Sequence, residues 1–217
     1  MKELNFYFDF LSPFSYYAWI KIQKVNKDFT VNFKPVALGP VLNHWGIKGP
    51  GEVQPKREFL LKQLLRYGIQ HQIPFTTPKT HPFNSLYALR LALQGVAGEL
   101  QPKVIETLWK AGWQQRIDMG EPDELLKVLR ENNLPADELY EKSFSKEAKV
   151  ELKGNIQEAI GFGVFGVPSF VHQGELFWGN DSVEDLLNFM QGNDPLDRNK
   201  LTELLASTPR AASQQIT

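Results

Sequence analysis

The rhythm of hydrophobic and polar positions changes several times along the chain, and each change marks a new type of secondary structure. Residues 4–10 (Leu-Asn-Phe-Tyr-Phe-Asp-Phe) are apolar and aromatic in mixed alternation, the pattern of a strand buried on at least one side. Ser12 then reads as an N-cap with Pro13 at the first helical position. Residues 14–25 carry Phe14, Tyr17, Ala18, Ile22 and Val25 at helical spacing. Alternation returns over residues 30–36, closed by Pro35, as a second strand. A strand, helix, strand opening of this kind predicts a parallel, right-handed crossover.

Residues 38–55 are rich in Gly and Pro and read as a loop. Beyond them the spacing is almost wholly helical, with helices predicted over 56–70, 82–94, 102–113, 122–131, 137–144 and 145–160. Strand patterning resumes at 168–172 and 175–178, separated by the hairpin signal Gln173-Gly174. Asp181 or Ser182 is placed to cap a last helix through Met190. From Gln191 the chain is polar, holds Pro195 and Pro209, and is expected to pack loosely. The order βαβ, helical block, ββα predicts an α/β, thioredoxin-like fold with a large all-helical insertion. Residues 1–38 and 161–190 would form the discontinuous thioredoxin-like domain, 39–160 the insertion, and 191–217 a C-terminal tail.

Composition narrows the chemistry. With 217 residues, 42% of them hydrophobic, the chain can bury a full core without disulfides or metals. A net charge of -1 supplies no basic field for nucleic acid or anionic lipid, so a small molecule is the expected partner. No apolar run approaches a membrane span, and Met1-Lys2-Glu3-Leu4 opens no signal-peptide core, so a cytoplasmic location is expected. The chain has no cysteine, which excludes structural disulfides, Cys-ligated zinc and a protein thiol nucleophile. His44, His71, His81 and His172 lack metal-ligand spacing, so no metal is expected.

Against that background, Ser12-Pro13-Phe14-Ser15 has the spacing of a thiol-redox motif with serines in the cysteine positions. One reading is ordinary helix capping by Ser12. The other is that the free amides and positive end of the helix, with the Ser12 hydroxyl, stabilise a thiolate brought by a ligand. A thiol of pKa about 8.5 is a few per cent ionised at neutral pH, and lowering it by two units takes about 2.7 kcal/mol. A second candidate is Val167-Pro168, which either starts a strand or forms a cis turn whose backbone pairs with a peptide-like ligand. A third is Asn180-Asp181-Ser182 after Gly179, either a helix cap or a grip on a charged ligand end, with Asp181 facing an α-amino group. The string Gly161-Phe162-Gly163-Val164-Phe165-Gly166 spells a dinucleotide fingerprint. It follows a helix and precedes a strand, the reverse of the required context.

Taken together, these blocks resemble a known family. The run from Phe8 to Tyr16 is similar to the opening of the 2-hydroxychromene-2-carboxylate isomerases, relatives of the kappa-class glutathione transferases in the DsbA-like thioredoxin superfamily. Phe165-Gly166-Val167-Pro168-Ser169-Phe170, Phe177-Trp178-Gly179-Asn180-Asp181 and His81-Pro82-Phe83-Asn84-Ser85 extend the resemblance over residues 4–190. It implies glutathione as cofactor, with Ser12 on its sulfur, Val167 beside Pro168 on its backbone, and Asn180, Asp181 and Ser182 on its glutamyl end. It implies a cis-trans isomerase of aromatic catabolism, acting on a small conjugated or electrophilic substrate near Asn43 and His81. The loop over 38–55, where the family places substrate-binding residues, has no residue-by-residue match. The alternatives are a kappa-like glutathione transferase or peroxidase, and a non-catalytic glutathione-binding module. A homodimer is compatible with the resemblance and is not implied by any residue.

Overall fold

The computed structural model describes residues 2–25 and 29–208. The chain divides into two compact units, Met1–Val183 and Glu184–Thr217. The first opens with β1 (Lys2–Phe8), α1 (Pro13–Val25) and β2 (Phe29–Pro35). Eight helices follow: α2 (Leu38–Trp45), α3 (Gln54–Gln70), α4 (Leu86–Leu91), α5 (Gln94–Ala97), α6 (Gln101–Trp113), α7 (Pro122–Glu131), α8 (Ala136–Ser143) and α9 (Lys146–Gly161). The hairpin β3 (Ser169–His172) and β4 (Glu175–Trp178) completes the sheet. This is the thioredoxin-like fold, with the helices α2 to α9 inserted between its halves. The second unit holds α10 (Val183–Gln191), which begins at the boundary, and α11 (Arg198–Ser207).

The four strands lie in the order β2-β1-β3-β4. β1 runs parallel to β2, with Phe6 opposite Phe33, and antiparallel to β3, with Phe6 opposite Phe170. The parallel pair needs a crossover, which α1 supplies. Gln173 and Gly174 turn the β3–β4 hairpin with φ of 51° and 82°. Two consecutive positive φ values give the type I′ geometry that suits the twist of flanking strands.

β1 is central, and its mixed apolar pattern reflects burial on both faces. On one face Phe6 stacks on Phe170 at 4.7 Å, and Phe8 meets Trp109 of α6 at 5.7 Å. On the other, Tyr7 joins Val36, Val41, Ala159, Val164, Val167 and Val171 in a separate apolar cluster. Tyr7 also donates its hydroxyl to Glu158 at 2.6 Å, which in turn pairs with Lys34.

Three expectations change. Residues 38–55 are not a loop throughout: they begin with α2 and hold a short 3-10 turn at Pro50–Glu52. Leu38, Val41, Leu42 and Trp45 fall on one helical face, and Pro40 sits in the first turn, where its missing N–H removes no bond. The helix expected over 82–94 shrinks to α4, because Asn84 turns its side chain onto the Leu86 amide at 3.2 Å. The tail contains α11, capped by Asp197 on the amides of Asn199 and Lys200 at 3.0 Å, with no buried residue. The loose packing expected of residues 209–217 lies outside the described residues. Among those described, no helix is long and apolar enough to cross a membrane.

Candidate active site

Between β1 and α1 the chain turns through Asp9, Phe10 and Leu11 to Ser12. The Ser12 amide donates to the Asp9 carbonyl at 2.9 Å, which closes the turn. The Ser12 hydroxyl accepts from the Ser15 amide at 3.2 Å, the capping bond expected at a helix start. The same hydroxyl donates to the Val167 carbonyl at 3.3 Å. The same hydroxyl therefore caps α1 and ties it to the Val167 turn, and capping does not exclude a further role for Ser12. Ser15, at the second serine position, is fully buried, and its hydroxyl has no partner among the described residues.

Val167 and Pro168 are joined by a cis peptide bond at the entry to β3. The Pro168 carbonyl accepts the Gly179 amide at 2.9 Å, which draws the turn after β4 to the same place. Gly179 has φ of 97°, a region costly for residues with a Cβ. Beyond it Asn180 is buried, Asp181 is exposed, and the Ser182 hydroxyl donates back to the Gly179 carbonyl at 2.9 Å. The structure thus links Ser12, Val167 and Pro168 directly, and Asn180, Asp181 and Ser182 through the Gly179 bond.

His81 reaches the same turn from the insertion. Its Nε2 lies 3.0 Å from the Leu11 carbonyl. A carbonyl only accepts, so Nε2 carries the proton and Nδ1 is left as the acceptor of the neutral ring. Burial lowers the His81 pKa, the Leu11 carbonyl opposes that shift, and the Arg57 charge adds to it. The Trp113 ring meets His81 edge-on at 5.6 Å. Asn43 is different. It stands exposed on α2, its carbonyl accepting the Gly46 amide at 3.2 Å, and among the described residues no contact joins it to Ser12.

Two charged residues take part that the sequence pattern does not single out. Asp9 is fully buried; its carboxylate accepts the amides of Leu11 at 3.0 Å and Leu38 at 2.8 Å, and hydrogen-bonds Ser85. Burial pushes its pKa up to about 6 against the pull of those three donors. Lys21 of α1 donates to the Asn180 carbonyl at 2.6 Å and lies over the Tyr67 ring. The one local sign of Asp9 is a carboxylate set between Phe8 and Phe10; Lys21 has none.

A serine-capped helix start facing a cis-proline turn, on a sheet split by a helical insertion, defines a thioredoxin-fold protein with serines in place of a redox cysteine pair. A profile of the DsbA-like thioredoxin domain matches residues 3–191, and the chain belongs to that family. It is 27% identical over 193 residues to the 2-hydroxychromene-2-carboxylate isomerase of Sphingobium xenophagum, covering 87% of this chain and 98% of that protein. It is 30% identical over 178 residues to glutathione S-transferase kappa 2 of Caenorhabditis elegans, covering 77% and 79%. A solved structure of 2-hydroxychromene-2-carboxylate isomerase shares the fold, with a TM-score of 0.79 over 95% of this chain and 100% of that one, at 24% identity.

Proposed function

We propose that the protein is a glutathione-dependent cis-trans isomerase similar to 2-hydroxychromene-2-carboxylate isomerase, in which Ser12 holds the glutathione thiolate. The observation that carries this reading is the double use of the Ser12 hydroxyl in a chain without cysteine. A hydroxyl has one proton to donate. Turning that proton from Val167 to a sulfur would stabilise the thiolate and free the Val167 carbonyl for an amide of the bound tripeptide. A hydrogen bond to a charged acceptor contributes about 1.5–3 kcal/mol, and the helix end about 0.3–1 kcal/mol more. Together these match the roughly 2.7 kcal/mol that a two-unit shift requires.

Asn180, Asp181 and Ser182 would hold the glutamyl end, with the exposed Asp181 carboxylate on the α-amino group. When bound, glutathione would supply a thiolate that adds reversibly to the conjugated substrate, permits rotation about the former double bond and is released unchanged, with no net oxidation. The share of this chain would be to hold that sulfur at Ser12 and to orient the tripeptide along Val167. His81, through Nδ1, and Asn43 on α2 are the groups of this chain assigned to the second substrate. The cytoplasm, where glutathione is reduced, is the compartment that suits this chemistry.

A second reading, a kappa-like glutathione transferase, is supported by the 30% identity to a protein of that name. Titration of glutathione with ultraviolet thiolate absorbance tests both. The wild-type protein is expected to lower the bound thiol's pKa by about two units, and Ser12→Ala to return at least one of them. Equal thiolate fractions in the two proteins would overturn the role of Ser12. Absence of glutathione binding would overturn both readings. Chromene-carboxylate interconversion, measured against conjugation of a halo-arene, ranks isomerase against transferase.

A further inference from the structure

Three segments of the candidate site meet at the one buried carboxylate of Asp9. Oδ1 accepts the amide of Leu11, the residue before Ser12, whose carbonyl takes the His81 ring. Oδ2 accepts the amide of Leu38, the first residue of α2, which bears Asn43. Ser85, which ends the turn running from His81, supplies the third hydrogen bond. The Asp9 carbonyl in turn accepts the Ser12 amide. We propose that Asp9 is a positioning residue that ties the Ser12 turn to the segments carrying Asn43 and His81, and so fixes the separation between thiolate and second substrate. This rests on the reading of Ser12, Asn43 and His81 given above.

A merely structural role is a poor account of this group. A carboxylate satisfied by neutral donors alone is costly to bury. The groups facing Asp9 are the Leu11 and Leu38 amides and the Ser85 hydroxyl; no charged side chain among the described residues interacts with it. His81 is connected to it only through Leu11, whose amide bonds Asp9 and whose carbonyl takes the ring. What a carboxylate supplies here is acceptor capacity on both oxygens at once. An asparagine would turn an N–H₂ toward one of the two amides.

The test uses Asp9→Asn and Ser85→Ala beside the wild type. In ligand-free protein, the Asp9 carboxyl and the Leu11 and Leu38 amide resonances are expected to titrate with one shared midpoint, near pH 6. Ser85→Ala, which removes a bond to the charged form, moves that midpoint upward, and Asp9→Asn abolishes it. In steady-state kinetics Asp9→Asn lowers kcat about tenfold or more, since small misplacements of reacting groups are costly, and leaves the glutathione Kd within about threefold. The acid limb of kcat moves upward in Ser85→Ala and disappears in Asp9→Asn. Amides that titrate apart, or an Asp9→Asn enzyme with unchanged kcat and acid limb, would overturn the proposal. If Asp9→Asn does not fold, an unmoved midpoint in Ser85→Ala overturns it. Failure of the wild type to bind glutathione defeats the functional reading instead, and the ligand-free titration then decides whether one carboxylate grips both segments.

Discussion

The two halves of the candidate site are built on opposite plans. The half proposed to hold the thiol, Ser12, Val167, Pro168 and the turn after β4, combines the Ser12 side-chain cap with two main-chain features, a cis-proline turn and the Pro168–Gly179 hydrogen bond. The proposed acceptor half, α2 and the turn through His81, is anchored by side chains: Asp9 to Leu38, His81 to Leu11, Trp45 to the Val164 carbonyl at 2.9 Å, and Val41 in the apolar cluster that includes Val167. Main-chain geometry changes little with substitution, while side-chain anchors change freely. On the proposed assignment, the half built on the cis-proline turn and the Pro168–Gly179 bond can persist while the half held by side-chain anchors is remade for other substrates. That pattern agrees with relatives of similar identity bearing the names of an isomerase and of a transferase.

The largest expected effect strikes the support beneath the thiol half. Trp109 is fully buried and packs on Phe10 at 4.6 Å, Phe8 at 5.7 Å and Tyr16 at 6.0 Å. Trp109→Ala removes this wedge between the Ser12 turn and α6. It is expected to destabilise the fold by about 3–5 kcal/mol in denaturant unfolding. A loss below about 1 kcal/mol would mean that the thiol half does not lean on the aromatic stack.

Next comes pH, where the carboxylate joining the halves and the histidine of the acceptor half act with opposite sign. The folded pKa of Asp9 lies above its ordinary value of 3.8, at about 6. Its contribution to stability is therefore full below pH 4 and lost as pH rises through 6, on the order of 3 kcal/mol in all. The folded pKa of His81 lies below its ordinary value of 6.5. Its contribution is full above pH 6.5 and lost as pH falls through the folded value. Asp9→Asn should flatten the first dependence and His81→Asn the second, as read by unfolding free energy between pH 4 and 7. Identical pH slopes in wild type and Asp9→Asn would show that Asp9 is not held in the buried, ionisable state described.

How much of this was legible depended on the distance over which each signal acts. The strands, α1, α7 and the Gln173-Gly174 hairpin declare themselves within a few residues, through periodicity, capping and turn chemistry. The helix α2 was obscured because Gly39-Pro40 and Gly49-Pro50-Gly51 signal a loop, although Leu38, Val41 and Trp45 share a helical face. Ser12 is visible as a cap and Val167-Pro168 as a candidate cis turn, but the two lie 155 positions apart and only the family resemblance brings them into one site. Asp9 and Lys21 act on Leu38 and Asn180, 29 and 159 positions distant, and nothing local marks either pairing. Sequence periodicity reports which face is buried, not which distant backbone group a side chain will find.

Lys21 offers a moderate test within the thiol half. Lys21→Met keeps the apolar stem and removes the bond to Asn180. The glutathione Kd by calorimetry is expected to rise about three- to tenfold, because a charge-assisted bond holding the 179–182 turn is lost at a partly exposed site. The thiol pKa should stay as in the wild type, since Ser12 and the start of α1 are untouched. A shifted thiol pKa would show that the turn and the cap are not separable.

The smallest effect probes the weakest anchor of the acceptor half. Trp45 is largely exposed, yet its indole N–H reaches the Val164 carbonyl and its backbone ends α2, while Val41 of the same helix is buried in the cluster around Tyr7. Trp45→Phe keeps a ring and loses the donor, so about 1 kcal/mol or less of stability is at stake. Val41 and the Asp9–Leu38 bond hold the start of the helix, so the loosening should be confined to its last turn, next to Asn43. The expected result is a rise of a few fold in KM for the second substrate, with glutathione affinity and thiol pKa unchanged. If glutathione binding fell in parallel, the two halves would behave as one rigid body, and the independence argued from their different construction would fail.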